Sequence, residues 1–165
     1  MKNTDVITQL ATDPVLFVET MLHVKPEKWQ IDVLESLLVH DKISIKSGHG
    51  TGKTALLSWV ILWWLSCRLP CKVACTANTS HQLSDILWSE INKWWRNMPQ
   101  GFKDLFEFKS DKINLVGVKD SFCVARTARR ETPEALQGFH SPNMLFIADE
   151  SSSIDNSIFE VAQGS

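Results

Sequence analysis

The stretch that decides the fold is Ile43-Ser-Ile-Lys-Ser-Gly-His-Gly-Thr-Gly-Lys-Thr-Ala-Leu-Leu57. It passes from a short apolar segment through a glycine-rich loop into an apolar run of helical character. Residues 47–54 fit the phosphate-loop pattern G-x-x-x-x-G-K-[ST] at every fixed position except the first, where Ser47 replaces glycine. The stretch predicts a strand over Ile43–Ser47, then a loop that holds nucleotide phosphates, then a helix.

Each part of this loop has a physical task. Glycines at positions 48, 50 and 52 can adopt positive φ, which lets backbone N–H groups converge on an anion. The following helix adds its unpaired N-terminal N–H groups and the positive end of its dipole. We expect Lys53 to reach the β- and γ-phosphates of ATP and the Thr54 hydroxyl to bind Mg²⁺. The expected nucleotide-binding set in the loop is Ser47, Gly48, His49, Gly50, Thr51, Gly52, Lys53 and Thr54.

Composition limits the class of protein. The chain has 165 residues, of which 44% are hydrophobic and 22% charged, as in one globular domain. A net charge of −2 argues against a nucleic-acid binder that relies on bulk positive charge. The apolar run Val60–Leu65 is too short to span a bilayer, so we expect no membrane association. The spacing of Cys67, Cys71, Cys75 and Cys123 matches no usual zinc pattern, and we interpret them as reduced, buried thiols.

Alternating helix and strand signals predict an α/β fold with a mostly parallel sheet flanked by helices. Asp13-Pro14 and Pro26 each open a short helix, and a helix follows the loop over about Gly52–Ser66. Lys72–Ala77 is a continuous apolar strand, and Asn114–Val118 with Phe122–Arg126 forms a β-hairpin. Between them lies an amphipathic helix whose apolar stripe is Leu83, Ile86, Leu87, Ile91, Trp94 and Trp95.

The strand Met144–Ala148 ends in two acids, Asp149 and Glu150. Parallel sheets place their ligands at the carboxyl ends of the strands, where the glycine-rich loop also lies. We expect Asp149 to hold Mg²⁺ together with Thr54, and Glu150 to orient and deprotonate the attacking water. The alternative is a pair of solvated acids at a strand end.

Two further groups are candidates for contacts with ATP. The Gln30 amide offers a donor and an acceptor that match adenine, and Trp29 precedes it; the alternative is an ordinary helix start. Phosphoryl transfer also benefits from an arginine near the leaving oxygens, often from a neighbouring subunit. Arg126, Arg129 and Arg130 are the candidates; the alternative, which is the commoner role for any single arginine, is a surface or salt-bridge residue.

The chain resembles the N-terminal part of the large subunit of bacteriophage DNA-packaging terminases over about residues 20–155. Four segments carry the resemblance: Pro26–Gln30, Ser47–Thr54, Thr76–Thr79 and Leu136–Glu150. It implies a Mg²⁺-dependent ATPase that drives double-stranded DNA into a procapsid, with Lys53, Thr54, Asp149 and Glu150 in the roles given above. It also implies a small terminase subunit and a portal ring as partners, in the cytoplasm of a bacterial host.

The resemblance gives the chain a RecA- or helicase-like P-loop NTPase fold that is truncated after the strand carrying Asp149-Glu150 (the Walker B strand). We interpret residues 1–165 as one incomplete ATPase domain, with N-terminal helices and the adenine-contact segment in 1–40 and the nucleotide-binding core in 41–165. On this interpretation we expect the chain to lack the family's coupling strand and nuclease domain. An exposed edge at Ile43–Ser47 would then favour self-association or coverage by the N-terminal helices. The alternatives are a helicase-like translocase and a non-catalytic remnant that only binds partners.

Overall fold

The computed structural model describes residues 3–46, 48, 50–77, 79, 81–127 and 140–149. In these ranges lie the helices α1 (Asn3–Thr12), α2 (Pro14–Met21), α3 (Lys28–Ser36), α4 (Lys53–Cys67), α5 (Ser89–Asn97) and α6 (Gln100–Lys103), and a π-helical stretch, Gln82–Trp88, that leads into α5. The strands are β1 (Cys71–Ala77), β2 (Phe106–Phe108), β3 (Lys112–Leu115), β4 (Phe122–Thr127) and β5 (Asn143–Ala148).

The five strands form one sheet in the order β2-β3-β4-β1-β5. Strand β1 pairs in parallel with β4 on one side and with β5 on the other. Strand β3 is antiparallel to both β2 and β4, so four strands run in one direction and β3 opposes them. The predicted α/β class with a mostly parallel sheet is confirmed, as is the hairpin, which the structure forms from β3 and β4.

Helix α4 forms the centre of the core. Its mixture of aromatic and aliphatic residues buries positions on every side, as the all-round apolar sequence predicts. Alternate residues of the sheet pack in the same cluster, because side chains along a strand point to opposite faces in turn. The residues on this face include Val73, Cys75, Ile113, Cys123 and Ile147.

A side-chain cap begins the second N-terminal helix, and a buried hydrogen bond attaches the first to this core. The Asp13 carboxylate accepts the Leu16 N–H at 2.8 Å, so α2 begins with the predicted side-chain cap and proline. The indole N–H of Trp63 in α4 donates to the Leu10 carbonyl of α1 at 2.8 Å in a buried site. Helix α1 is not among the helices that the sequence predicts.

The amphipathic helix of residues 82–97 is only partly α-helical. Its first half is π-helical, so its backbone hydrogen bonds join residues five apart in the sequence instead of four apart. This wider turn brings residues four apart into line, so Leu83, Leu87 and Ile91 are buried while Ile86 is 44% exposed. The predicted apolar stripe is therefore correct for these three leucine and isoleucine positions and wrong for Ile86.

The predicted strand over Ile43–Ser47 is not formed in residues 43–46. Ile43 and Ile45 are half-buried and alternate with exposed Ser44 and Lys46, which is the pattern of a strand with one buried face. A strand also needs hydrogen-bonded neighbours, and the described sheet ends at β5 without pairing to this segment. Self-association through this edge stays a prediction. It assumes that the segment forms a strand, and residues 43–46 do not form one.

Several predicted features fall outside the described residues. These are Ser47 and His49 of the glycine-rich loop, the candidate arginines Arg129 and Arg130, and Glu150. In the part of the chain that the structure describes, every helix falls short of the length and apolar content that crossing a bilayer requires.

Candidate nucleotide-binding site

The glycine-rich loop passes into α4 at Gly52, which adopts φ +84° and ψ +19° as the residue before the helix. Gly50 also has positive φ, at +72°. The Thr51 hydroxyl donates to the Gly48 carbonyl at 3.0 Å, which ties the two sides of the loop together. Gly52 has no side chain with which to cap α4, and no side-chain cap bond is seen at the start of this helix among the described residues. This arrangement is suited to an anion.

The loop is also held from outside by Gln30. The Gln30 amide is 5% exposed, and its Nε2 donates to the Gly52 carbonyl at 3.4 Å. Its Oε1 accepts the backbone N–H of Glu27 at 2.8 Å, which is half of a capping box at the start of α3. The start of α3 therefore lies beside the start of α4, as a site shared by a base contact and a phosphate loop would need.

Glu27 also orients Trp29. Its indole N–H donates to the Glu27 carboxylate at 2.9 Å, and its ring packs against the core. The polar groups of both predicted adenine contacts, Trp29 and Gln30, are thus bonded within α3 or to the loop. Their contact with adenine stays a prediction.

The orientation of α4 sets which end of the sheet the loop occupies. Helix α4 packs on β1 and ends three residues before β1 begins, so the two run antiparallel. Near its end, the Trp64 indole N–H donates to the Asn143 carbonyl at 3.1 Å, where β5 starts. Because an α-helix advances 1.5 Å per residue, Lys53 lies about 16 Å from Trp64 along the helix axis. Lys53 therefore lies toward the end of the sheet at which β1 and β5 finish.

Asp149 lies at that same end. It directly follows β5, and its N–H donates to the Thr76 carbonyl at 2.9 Å, which extends the β1–β5 ladder by one residue. Its side chain is half-buried, as are those of Lys53 and Thr54. The structure thus puts the loop and the first acid at the carboxyl end of the sheet. Glu150, the second acid, is outside the described residues.

The structure describes one of the three candidate arginines, Arg126. Arg126, near the end of β4, donates to the Asp111 carboxylate at 3.2 Å and to the Ala125 carbonyl at 3.0 Å. Its pair with Asp111 is substantially exposed on both sides and is worth little to stability. Arg129 and Arg130 are outside the described residues, and a catalytic role for any of the three stays a prediction.

The donor set fits Mg²⁺ better than a transition metal. No group of three or more His, Cys, Asp or Glu within the described ranges is placed to hold a metal. Mg²⁺ needs no such cage, since it is commonly held by one or two carboxylates together with substrate phosphates and water. Thr54 and Asp149, at one end of the sheet, are residues of the right chemistry for that mode.

The cysteines take no part in such chemistry. Burial raises the pKa of the Cys67 thiol to about 12, against the opposing effect of the Arg68 charge. Burial likewise raises the pKa of Cys71 to about 12, and that of Cys123, whose thiol lies 3.6 Å from Cys75, well above its usual value. Thiols that stay protonated are poor nucleophiles and poor metal ligands. All four cysteines are free; Cys71, Cys75 and Cys123 are buried as predicted, whereas Cys67 is half-buried.

Comparison with known proteins relates the chain to a phage protein. No protein-family model matches the chain. The chain is 27% identical over 146 residues to a protein of Enterobacteria phage P7 described as "Probable terminase, large subunit". The match covers 85% of this chain. The resemblance to terminase large subunits is confirmed. The chain spans about 30% of the length of that terminase relative.

Two residues that support the site were not singled out from the sequence. Glu27 positions both Trp29 and Gln30, and Trp64 fixes α4 against the start of β5. The spacing Glu27-x-x-Gln30 resembles a capping box, but glutamate is not among the preferred cap residues, so the signal was weak. Trp64 lies among other tryptophans in α4, and only the tertiary structure shows which of them bonds to a strand.

Proposed function

We propose that this chain binds ATP with Mg²⁺ at residues 47–54 and Asp149, and that it is the ATP-hydrolysing part of a terminase motor that packages double-stranded DNA. The observation that carries the proposal is the shared location of the Gly50–Gly52 turn, the start of α4 and Asp149 at the carboxyl end of the parallel strands. Ligand sites of open α/β sheets occur at this end.

In the proposed complex the backbone of the loop solvates the phosphates. The N-terminal N–H groups of α4 and its dipole stabilise negative charge, and Lys53 adds a full positive charge. The Thr54 hydroxyl and the Asp149 carboxylate hold Mg²⁺, which offsets charge on the phosphate oxygens when it is bound. Glu150, next in sequence to Asp149, orients the attacking water and accepts its proton.

An arginine would stabilise the charge that develops on the transferred phosphoryl group. We propose that Arg126, Arg129 or Arg130 supplies it, either within the chain or to a neighbouring subunit. Exchange of the exposed Asp111 partner for a phosphate would cost Arg126 little, since exposed ion pairs contribute about 0–1 kcal/mol.

The partners proposed for the whole motor follow from the resemblance to terminase large subunits. They are double-stranded DNA, a small terminase subunit and a portal ring. Since the chain spans only part of the terminase relative, motor activity belongs to the proposal for the full-length protein. ATP binding and ATP hydrolysis are the parts that this chain can test by itself.

Phosphate release from ATP and Mg²⁺ tests the proposed hydrolysis. The unaltered chain should release phosphate, and Glu150→Ala should lower the rate on the order of a hundredfold or more while ATP still binds. Glu19→Ala, an exposed acid on α2, is the matched control and should leave the rate unchanged. Equal rates in the Glu150→Ala variant would contradict the mechanism. ATP binding without any release would favour a module that binds the nucleotide but does not hydrolyse it.

A further inference from the structure

Lys72, Lys112 and Phe122 form a basic cluster on the face of the sheet that points away from α4. Phe122 of β4 is paired with Lys72 of β1, whereas Lys112 comes from β3, on the other side of β4. Their sequence neighbours Val73 and Cys123 point into the core cluster, so these side chains point to the opposite face. The Lys72 ammonium lies 5.6 Å from the centre of the Phe122 ring, and the Lys112 ammonium lies 4.2 Å from it. Both distances are typical of cation–π contacts, so the ring holds two positive charges close together.

The positive charge of the basic cluster is not neutralised by an acid. Among the described residues, no ion pair includes Lys72 or Lys112. The acid beside Lys112 in the sequence, Asp111, is paired with Arg126 instead, at 3.2 Å. The cluster therefore keeps local positive charge, although the chain as a whole has a net charge of −2. An anion that contacts both lysines would offset the repulsion between them.

A cavity adjoins the basic cluster at the amino end of the parallel strands. Its volume is about 320 Å³, and apart from two prolines it is lined by Lys72, Lys119, Asp120, His140 and Ser141. Lys119 and Asp120 are exposed in the turn that precedes β4. Ammonium and hydroxyl groups such as those of the lysines and the serine are the side-chain groups that commonly contact phosphate oxygens of nucleic acids. Lys72 belongs to both the cluster and the cavity, so the two form one continuous surface.

We infer that the basic cluster and the cavity together are a contact surface for the phosphate backbone of duplex DNA. The choice of DNA as the polyanion rests on the proposed function, whereas the surface itself rests on the charges and the cavity. The Phe122 ring is half-buried and already packs against two ammonium groups, so it does not offer a face on which an unpaired base could stack. The surface therefore contacts the backbone, and it binds DNA without regard to sequence.

The proposed DNA surface lies at the opposite end of the sheet from the candidate nucleotide site. Lys72 is the second residue of β1, and Thr76, whose carbonyl accepts the Asp149 N–H, is close to its last. The four residues between these positions along a strand correspond to about 13 Å. DNA and ATP should therefore bind this chain together, and neither should displace the other.

The salt dependence of DNA binding tests the inference. The anisotropy of a short labelled duplex of mixed sequence is titrated with the unaltered chain at several salt concentrations between about 50 and 200 mM. The logarithm of the binding constant should fall linearly with the logarithm of the salt concentration, with a slope of about −0.9 for each phosphate contacted. The triple variant Lys72→Gln, Lys112→Gln, Lys119→Gln should bind at least tenfold more weakly near 50 mM salt, and its slope should be smaller in magnitude by roughly 2 to 3.

Two comparisons separate a charge effect from a packing effect. Lys93→Gln is the matched control, because the Lys93 ammonium also lies over a ring, that of Trp94 at 4.9 Å, but is paired with Glu90 at 3.2 Å. It should leave both the affinity and the slope unchanged. The triple variant with arginine in place of Lys72, Lys112 and Lys119 keeps the charges and should bind the duplex as the unaltered chain does.

Any of four results would overturn the inference: no duplex binding at the lowest salt concentration, an unchanged slope in the triple glutamine variant, an equal loss in Lys93→Gln, or tighter binding of a single strand of the same length. The proposed ATP site is tested separately with Lys53→Ala, which should lose ATP binding and keep its affinity for the duplex. If DNA binds as described but ATP does not bind the unaltered chain, the proposed nucleotide site fails and the DNA surface stands.

Discussion

Gly52 is the residue at which the candidate phosphate loop meets α4, and two separate features require glycine there. Its φ of +84° lies in the left-handed region, where a Cβ costs about 1–2 kcal/mol. A Cβ would also lie 3.0 Å from Gln30 Nε2, closer than an ordinary contact. The glycines of this loop were singled out for the first reason, which can be recognised in the sequence pattern. The second reason depends on tertiary structure.

Gly52→Ala should therefore destabilise the chain by about 1–2 kcal/mol and weaken ATP binding, because the peptide before Lys53 must rotate. Chemical denaturation and calorimetry with ATP and Mg²⁺ measure the two effects. Gly101→Ala in α6 is the matched control, since its φ is not positive and nothing lies within 4 Å of the added Cβ. Equal behaviour of the two variants would contradict the role given to Gly52.

Helix α4 is the element that links the phosphate loop to the rest of the fold. Its apolar sequence predicted a buried helix, and its bounds agree with the prediction within a residue at each end. The sequence does not show which partners it contacts. In the structure its tryptophans make different polar contacts, Trp63 with α1 and Trp64 with β5. These contacts direct the N-terminus of α4 toward the end of the sheet where Asp149 lies.

Trp64→Phe tests this link between α4 and β5. It keeps an aromatic ring but leaves the Asn143 carbonyl without its donor, which should cost about 1–3 kcal/mol. Hydrogen exchange of the β5 amides should become faster. The control is Trp94→Phe, whose lost bond to Glu90 lies within α5, so it should leave β5 exchange nearly unchanged. Unchanged β5 protection in Trp64→Phe would show that this bond does not hold the strand.

At the scale of the whole molecule, local patterns predicted most of the fold. Apolar runs bounded by turn residues predicted β1, β5 and the β3–β4 hairpin. These elements could be predicted because their burial patterns and turns depend on residues that are close together in the sequence. The Ile43–Ser47 segment has the same alternation but forms no strand over 43–46, because a strand also needs neighbours to pair with. The location of the loop and Asp149 at one end followed from parallel topology, whereas the bonds of Gln30 required coordinates.

The buried thiols predict how the stability of the whole chain depends on pH. An unfolded thiol ionises near pH 9, whereas burial raises the pKa of folded Cys71 to about 12. The thiol thus binds its proton more tightly in the folded state, and its contribution to stability is full below pH 9 and declines as pH rises toward 12. The free energy of unfolding should fall by up to about 1.4 kcal/mol per pH unit for this group.

Cys71→Ser removes the ionisation while keeping a donor for the Trp64 carbonyl. Denaturation curves at pH 8, 9, 10 and 11 should show a shallower decline for this variant than for the unaltered chain. Parallel curves over that range would contradict the burial-driven shift, whatever the difference in stability at neutral pH.

The most direct test of the central claim is calorimetric titration of the chain with ATP and Mg²⁺, compared with the Lys53→Ala and Asp149→Asn variants. The account predicts saturable binding by the unaltered chain, a large loss of affinity in Lys53→Ala with or without Mg²⁺, and a loss in Asp149→Asn that appears only when Mg²⁺ is present. No saturable binding by the unaltered chain, or equal binding by all three proteins, would contradict it.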